Sequence, residues 1–135
     1  MSRSSKRLAF FFVCLTLYAE AAPDPLGVWK ASQAGLPFVT ITIERWNGKL
    51  TGAILFYLIR REQNGTQTAS AGVPEPLLNV SQAGNTVTFE VSHRNAHPPG
   101  SLTDPPVEFK LQLKDSKNAV ITGPESPPLE LTRIY

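Results

Sequence analysis

The sequence predicts an all-β fold: an antiparallel up-and-down barrel of about eight strands, preceded by a signal-peptide helix. Three observations predict it. Apolar and polar residues alternate with period two in several separate runs. Asn47-Gly48 and Gly84-Asn85 sit midway between pairs of such runs, where two-residue hairpin turns belong. After Ala22 no long stretch spaces its apolar residues at three and four, and twelve prolines punctuate the chain. A β-sandwich of seven or eight strands fits the same periodicity and is the alternative. The barrel is preferred because closure removes two sheet edges that would otherwise need protection.

The chain has 135 residues, the size of one domain. Its first part reads as a targeting segment. Met1 to Arg7 carries three basic residues, Leu8 to Leu17 is apolar except for Thr16, and Ala19-Glu20-Ala21 fits the small-x-small rule for signal peptidase. A retained anchor would need ~20 apolar residues, more than this run supplies. Residues 1–21 are therefore expected to be a secretory signal, and residues 22–135 a single exported domain, periplasmic or extracellular. Of thirteen Lys and Arg residues, the loss of Arg3, Lys6 and Arg7 leaves ten; of eleven acidic residues, the loss of Glu20 leaves ten. The formal charge of +2 thus belongs to the targeting segment. A near-neutral domain lacks the basic face that nucleic acid or an anionic membrane would require. The single cysteine, Cys14, lies in the apolar run after Phe11-Phe12-Val13, which is not a lipoprotein processing site. The mature chain is expected to have no disulfide and no lipid or other stable membrane anchor, so its core alone must hold it.

The strands follow in order. Val28 to Ala31 opens the domain. In the first hairpin, a turn at Asn47-Gly48 sets Ile43 opposite Gly52, Ile41 opposite Ile54 and Val39 opposite Phe56 on one face. Glu44 then faces Thr51, Thr42 faces Ala53 and Thr40 faces Leu55 on the other. The second of these strands is apolar on both faces near its end: Ile54, Phe56 and Leu58 point inward, while Leu55, Tyr57 and Ile59 point outward and need a cover. That cover is either the chain's own segment Gln63 to Gly72 or a protein contact, through a homodimer or another exported protein. A turn at Gly84-Asn85 likewise sets Val80 opposite Phe89 and Leu78 opposite Val91, with Ser81 facing Thr88 and Asn79 facing Glu90. Val107 to Lys114 alternates strictly, with Val107, Phe109, Leu111 and Leu113 inward. Asp115 to Asn118 is a turn, Ala119 to Thr122 a short strand, Gly123 to Pro128 a loop and Leu129 to Ile134 the closing strand. Trp46, beside the first turn, is expected to cover the hairpin end.

Gly27-x-Trp29 in the first strand and Arg133 at an inward position in the last (LELTRIY) resemble the lipocalin-like, or calycin, signature. The order GVWK, PFVTITIERWNGKLTG, NTVTFEV, ITG, LELTRIY resembles a small exported bacterial β-domain found alone or ahead of serine-hydrolase domains. The resemblance implies that Gly27 and Trp29 close one end of the barrel and that Arg133 caps the indole, a structural role. The chain is shorter than full lipocalins and lacks their flanking helix, which argues against a large ligand cavity.

Constellations that carry chemistry are sparse. His93 and His97 lie four apart, the spacing that brings two zinc ligands onto one helix face. Here they leave a strand and enter a proline loop with Asp104, so solvated histidines are expected and no metal site is assigned. Ser101 lies in the same loop, but nothing like G-x-S-x-G surrounds any serine. Glu44, Glu90, Glu108 and Glu130 all take outward positions, where a general acid with a raised pKa does not belong. No glycine-rich loop leads into a helix to cradle phosphate. Asn64-Gly65-Thr66 and Asn79-Val80-Ser81 are formal glycosylation acceptors, relevant only in a eukaryotic secretory host. Neither enzymatic activity nor a cofactor is therefore expected. The two long connections, Arg61 to Pro76 and His93 to Pro106, should form the barrel mouth, and a small apolar ligand should lie between them and the inward Phe56, Phe89 and Phe109.

Overall fold

In the computed structural model, which describes residues 20–92 and 105–135, strand β1 (Gly27–Gln33) pairs with β2 (Leu36–Trp46), and β2 with β3 (Lys49–Arg61). The β2–β3 register is the one the Asn-Gly turn dictates: Val39 faces Phe56, Ile41 faces Ile54, and Ile43 faces Gly52. Asn47 and Gly48 both take positive φ, 48° and 76°, the geometry whose twist matches that of the flanking strands. A similar turn joins β1 to β2, where Ala34 and Gly35 have φ of 50° and 78°.

The remaining strands are β4 (Gln67–Ala71), β5 (Glu75–Pro76), β6 (Leu78–Ala83), β7 (Thr86–Val91), β8 (Val107–Leu113), β9 (Asn118–Gly123) and β10 (Ser126–Arg133). All pairings are antiparallel, in the order β4-β3-β2-β1-β10-β9-β8-β7-β6. The fold is therefore all-β and up-and-down, and no helix occurs among the described residues. Along this path every adjacent pair is consecutive in the chain except β1 and β10, so the first and last strands lie side by side at the middle of the sheet, while β5 pairs with β3 off the path. The sheet curls until its two ends approach. Glu75 and Pro76 pair with Ile54 and Ala53, and the Leu77 amide donates to the Gly52 carbonyl at 2.9 Å. Beyond that short seam β6 leaves β3, and the curl stays partly open.

Ten strands stand where about eight were expected, because Arg61 to Pro76 is not a loop. It supplies β4, which pairs with the far end of β3, and β5 at the seam. The second hairpin also departs from its expected register. Ser81 faces Thr88, but Leu78 faces Glu90 rather than Val91. The cause is an extra residue in β6: Asn79 takes a φ of 51°, which asparagine tolerates, and its amide donates to Glu90 at 2.6 Å.

The core is continuous hydrocarbon. Trp29, Ile41, Ile43 and Ile54 meet Val87, Phe89, Val91, Leu111, Leu113, Ala119, Ile121 and Leu131 across the curl, all fully or nearly fully buried. Among the described residues no polar or charged side chain is buried. Leu58, expected inward, is 60% exposed, because the β3–β4 hairpin runs on past the packed interior. Trp46 is 72% exposed and stands in solvent rather than folding over its turn. The expected signal segment lies almost wholly in residues 1–19 and, with Cys14, falls outside the described residues, as do His93, His97, Ser101 and Asp104.

Candidate functional site

The two ends of the curl differ. At one end residues 24–28 meet the last residues of the chain, Arg133 to Tyr135. Gly27 (φ 126°) lies so near the Tyr135 carbonyl that a Cβ would collide with its oxygen. Only glycine allows the close ladder in which Val28 donates to Tyr135 at 3.0 Å and Ile134 donates to Val28 at 2.8 Å. Trp29 is wholly buried, and its indole N–H donates to the Pro25 carbonyl at 2.9 Å. The Arg133 guanidinium lies 4.6 Å from the centre of the Trp29 ring and donates to the Asp24 carbonyl. Gly27, Trp29 and Arg133 thus meet at one place, where the flat cation lies over the aromatic face and one of its terminal nitrogens reaches a backbone carbonyl, while its buried Nε has no hydrogen-bond partner.

The opposite end is open. The ladder between β1 and β10 holds only two pairs, Trp29 with Arg133 and Lys30 with Thr132. Past Lys30 the strands splay, and an apolar cavity of about 310 Å³ lies in the cleft. Phe38, Val39, Phe56, Phe109, Ile121 and Leu129 form its walls; Pro127 and Pro128 lean over it; Ser32, Gln33 and Ser126 stand at its exposed rim.

Two β-bulges build this cleft. In β1–β2, Ala31 faces Val39 but Ser32 faces Pro37, so Phe38 is an extra residue. Strict alternation would turn Phe38 outward; the bulge brings it against the core instead. In β9–β10, Ser126 faces Gly123 and Leu129 faces Ile121, so β10 carries one extra residue at its proline pair. Proline has no amide proton for a ladder, which is why the irregularity falls there.

The three inward phenylalanines come together, though not in one role. Phe89 and Phe109 stack at 5.9 Å between ring centres, 17° apart in plane, and Phe56 meets Phe109 at 6.2 Å and 43°. Phe56 and Phe109 line the cavity. Phe89 does not: it is fully buried behind Phe109 and belongs to the packed floor. Of the two connections expected to form the mouth, segment 61–76 lies along β3 and does not line the cavity, and the connection His93 to Pro106 falls outside the described residues up to residue 104. Parity alone missed Phe38, Gly123 and the proline pair. The signals in the sequence were Pro37, which interrupts its strand, and the Ser126-Pro127-Pro128 run.

The outer row of β3 is less open than expected. Leu55, Tyr57 and Ile59 are half-buried, because Tyr57 has Ala71 beside it and Ile59 has Ala69, both on β4. Beside Tyr57 and Ile59 the chain's own segment supplies neighbours, and the large apolar residue left exposed on the strand is Leu58. Among the described residues no group of three or more His, Cys, Asp or Glu side chains could hold a metal ion. No family profile, curated protein or solved structure matches this chain.

Proposed function

We propose that this chain is an exported, non-enzymatic binding protein, lipocalin-like in plan, that holds a small apolar ligand at the open end of its curled sheet. The supporting observation is the cavity between β1 and β10, walled by Phe38, Phe56, Phe109 and Leu129, beside a core of buried hydrocarbon side chains. Its volume of about 310 Å³ is at the lower bound of the ~300–1,000 Å³ that small-molecule sites occupy. Both bulges in the strands that meet at this cleft fall on its border, where such irregularities re-aim side chains and interrupt pairing. Export rests on the basic, apolar and small-residue order of the first 21 residues.

The test is titration of the mature chain with N-phenyl-1-naphthylamine, an uncharged dye that brightens in apolar surroundings. Saturable binding that Phe38→Ser weakens supports the reading. Absence of saturable binding to a folded monomer refutes it. A second reading, a contact module for a homodimer or another exported protein, draws on exposed Leu58 and on β4, which forms an edge of the sheet. A concentration-dependent dimer that Leu58→Lys abolishes would favour that reading.

A further inference from the structure

The cavity's rim specifies more than an apolar occupant. Its polar groups are Ser32, Gln33 and Ser126, all uncharged, and no charged side chain lines it among the described residues. Beside the rim, the edge of β1 at Ser32 and Gln33 has no ladder partner on β10, because pairing between the two strands ends at Lys30. A ligand head placed there meets hydroxyls, an amide and backbone peptide groups, which pair with a neutral donor or acceptor. A carboxylate, phosphate or ammonium would lose hydration against phenylalanine and proline without gaining a counter-charge.

We infer, resting on the binding reading above, that the ligand is an uncharged amphiphile: a short-chain or flat-ring hydrocarbon with a single hydroxyl, carbonyl or amide end. The hydrocarbon lies against Phe38, Phe56 and Phe109, and the polar end points to the rim.

The experiment displaces bound N-phenyl-1-naphthylamine with matched probes. One set is 1-decanol, methyl decanoate, decanoic acid and decylamine; the other is 2-naphthylmethanol and 2-naphthoic acid. At neutral pH the alcohols and the ester should displace the dye at least roughly tenfold more tightly than their charged partners, a ratio equivalent to ~1.4 kcal/mol. Gln33→Lys should narrow the gap for both acids and widen it for decylamine. Acids that bind as tightly as the alcohols overturn the inference while leaving the binding reading intact. A gap that Gln33→Lys does not change also overturns it, since the head would not lie at the rim. Failure of the dye and every probe to bind overturns the binding reading itself, and the inference with it.

Discussion

Gly123 is the residue on which the shape of the cavity most directly depends. A Cβ at that position would stand 2.7 Å from Cε1 and 3.1 Å from Cδ1 of Phe109. Carbon atoms in contact settle at ~3.5–4.0 Å, so in Gly123→Ala the ring must retreat by about 1 Å. The far face of the ring is stacked on Phe89 at 5.9 Å, and Phe56 closes in at 6.2 Å. The retreat therefore either loosens the stack or takes space from the cavity. Overpacking of this kind costs ~1–3 kcal/mol, and the partly exposed ring places the expected loss near the lower end, about 1–2 kcal/mol. Dye affinity should fall roughly fivefold, equivalent to ~1 kcal/mol. Urea unfolding and dye titration measure the two effects. Phe109→Leu supplies the control: with the ring gone, Gly123→Ala should cost little, so the double-mutant cycle should show coupling of about 1 kcal/mol. A Gly123→Ala protein that keeps its urea midpoint and its dye affinity would refute the packing argument for this wall.

The other predictions concern the closed end and the turns. Arg133→Ala should lower stability by about 1.5–3 kcal/mol through loss of the Trp29 contact and the donation to Asp24, and Lys should restore only part of it; dye affinity should not change, since the cavity is at the other end, and a shift there would refute the separation. Gly27→Ala should cost at least ~2 kcal/mol, because φ 126° and the Tyr135 carbonyl both exclude a side chain; an unfolding midpoint equal to that of the parent would contradict this. Ala34→Asn should stabilise by roughly 0.5–1 kcal/mol, since Ala34 holds φ 50° in a turn that favours Asn-Gly; no gain in the urea midpoint would count against the turn. The Asp115 carboxyl is held below its ordinary value of 3.8 by the Asn118 side chain first and then by the Lys117 amide. Its contribution to stability is present above the ordinary value and lost as the pH falls through the lowered one. Carboxyl NMR should place its midpoint below 3.8, and Asn118→Ala should move it back upward; an ordinary midpoint in the parent would refute the hydrogen-bonded turn.

What the sequence conveyed and what it withheld divide along one physical line. Where a two-residue turn and uninterrupted alternation coincide, each residue's face follows from its number. Hence the Val39-Phe56, Ile41-Ile54 and Ile43-Gly52 pairs were legible, and so was the inward row of β8. The Trp29–Arg133 contact was legible for a different reason: inward positions in the first and last strands meet if the curl brings those strands together. The errors of register and facing at the second hairpin and the cleft share a single cause, an extra residue. Asn79 shifts the register of the second hairpin, Phe38 turns inward against parity, and the residue added at Pro127-Pro128 opens the cleft. A bulge cannot be counted from periodicity, because it is the point at which the period fails.

That same point explains why the site was harder to read than the fold. An unbroken ladder between β1 and β10 would close the sheet over Phe56 and Phe109, and the interior would be packed from end to end. The ladder stops at Lys30; β2 carries one residue too many opposite Ala31 and Ser32, and β10 carries one at its proline pair, against β9. The cavity is therefore a consequence of local sequence, Pro37-Phe38 on one side and Pro127-Pro128 on the other, rather than of the curled sheet as such. Deleting one proline of the Pro127-Pro128 pair should restore regular β9–β10 pairing and shrink the cleft. Stability should rise or hold while dye binding is lost. A deletion variant that binds the dye as the parent does would show that the cavity owes nothing to the bulge.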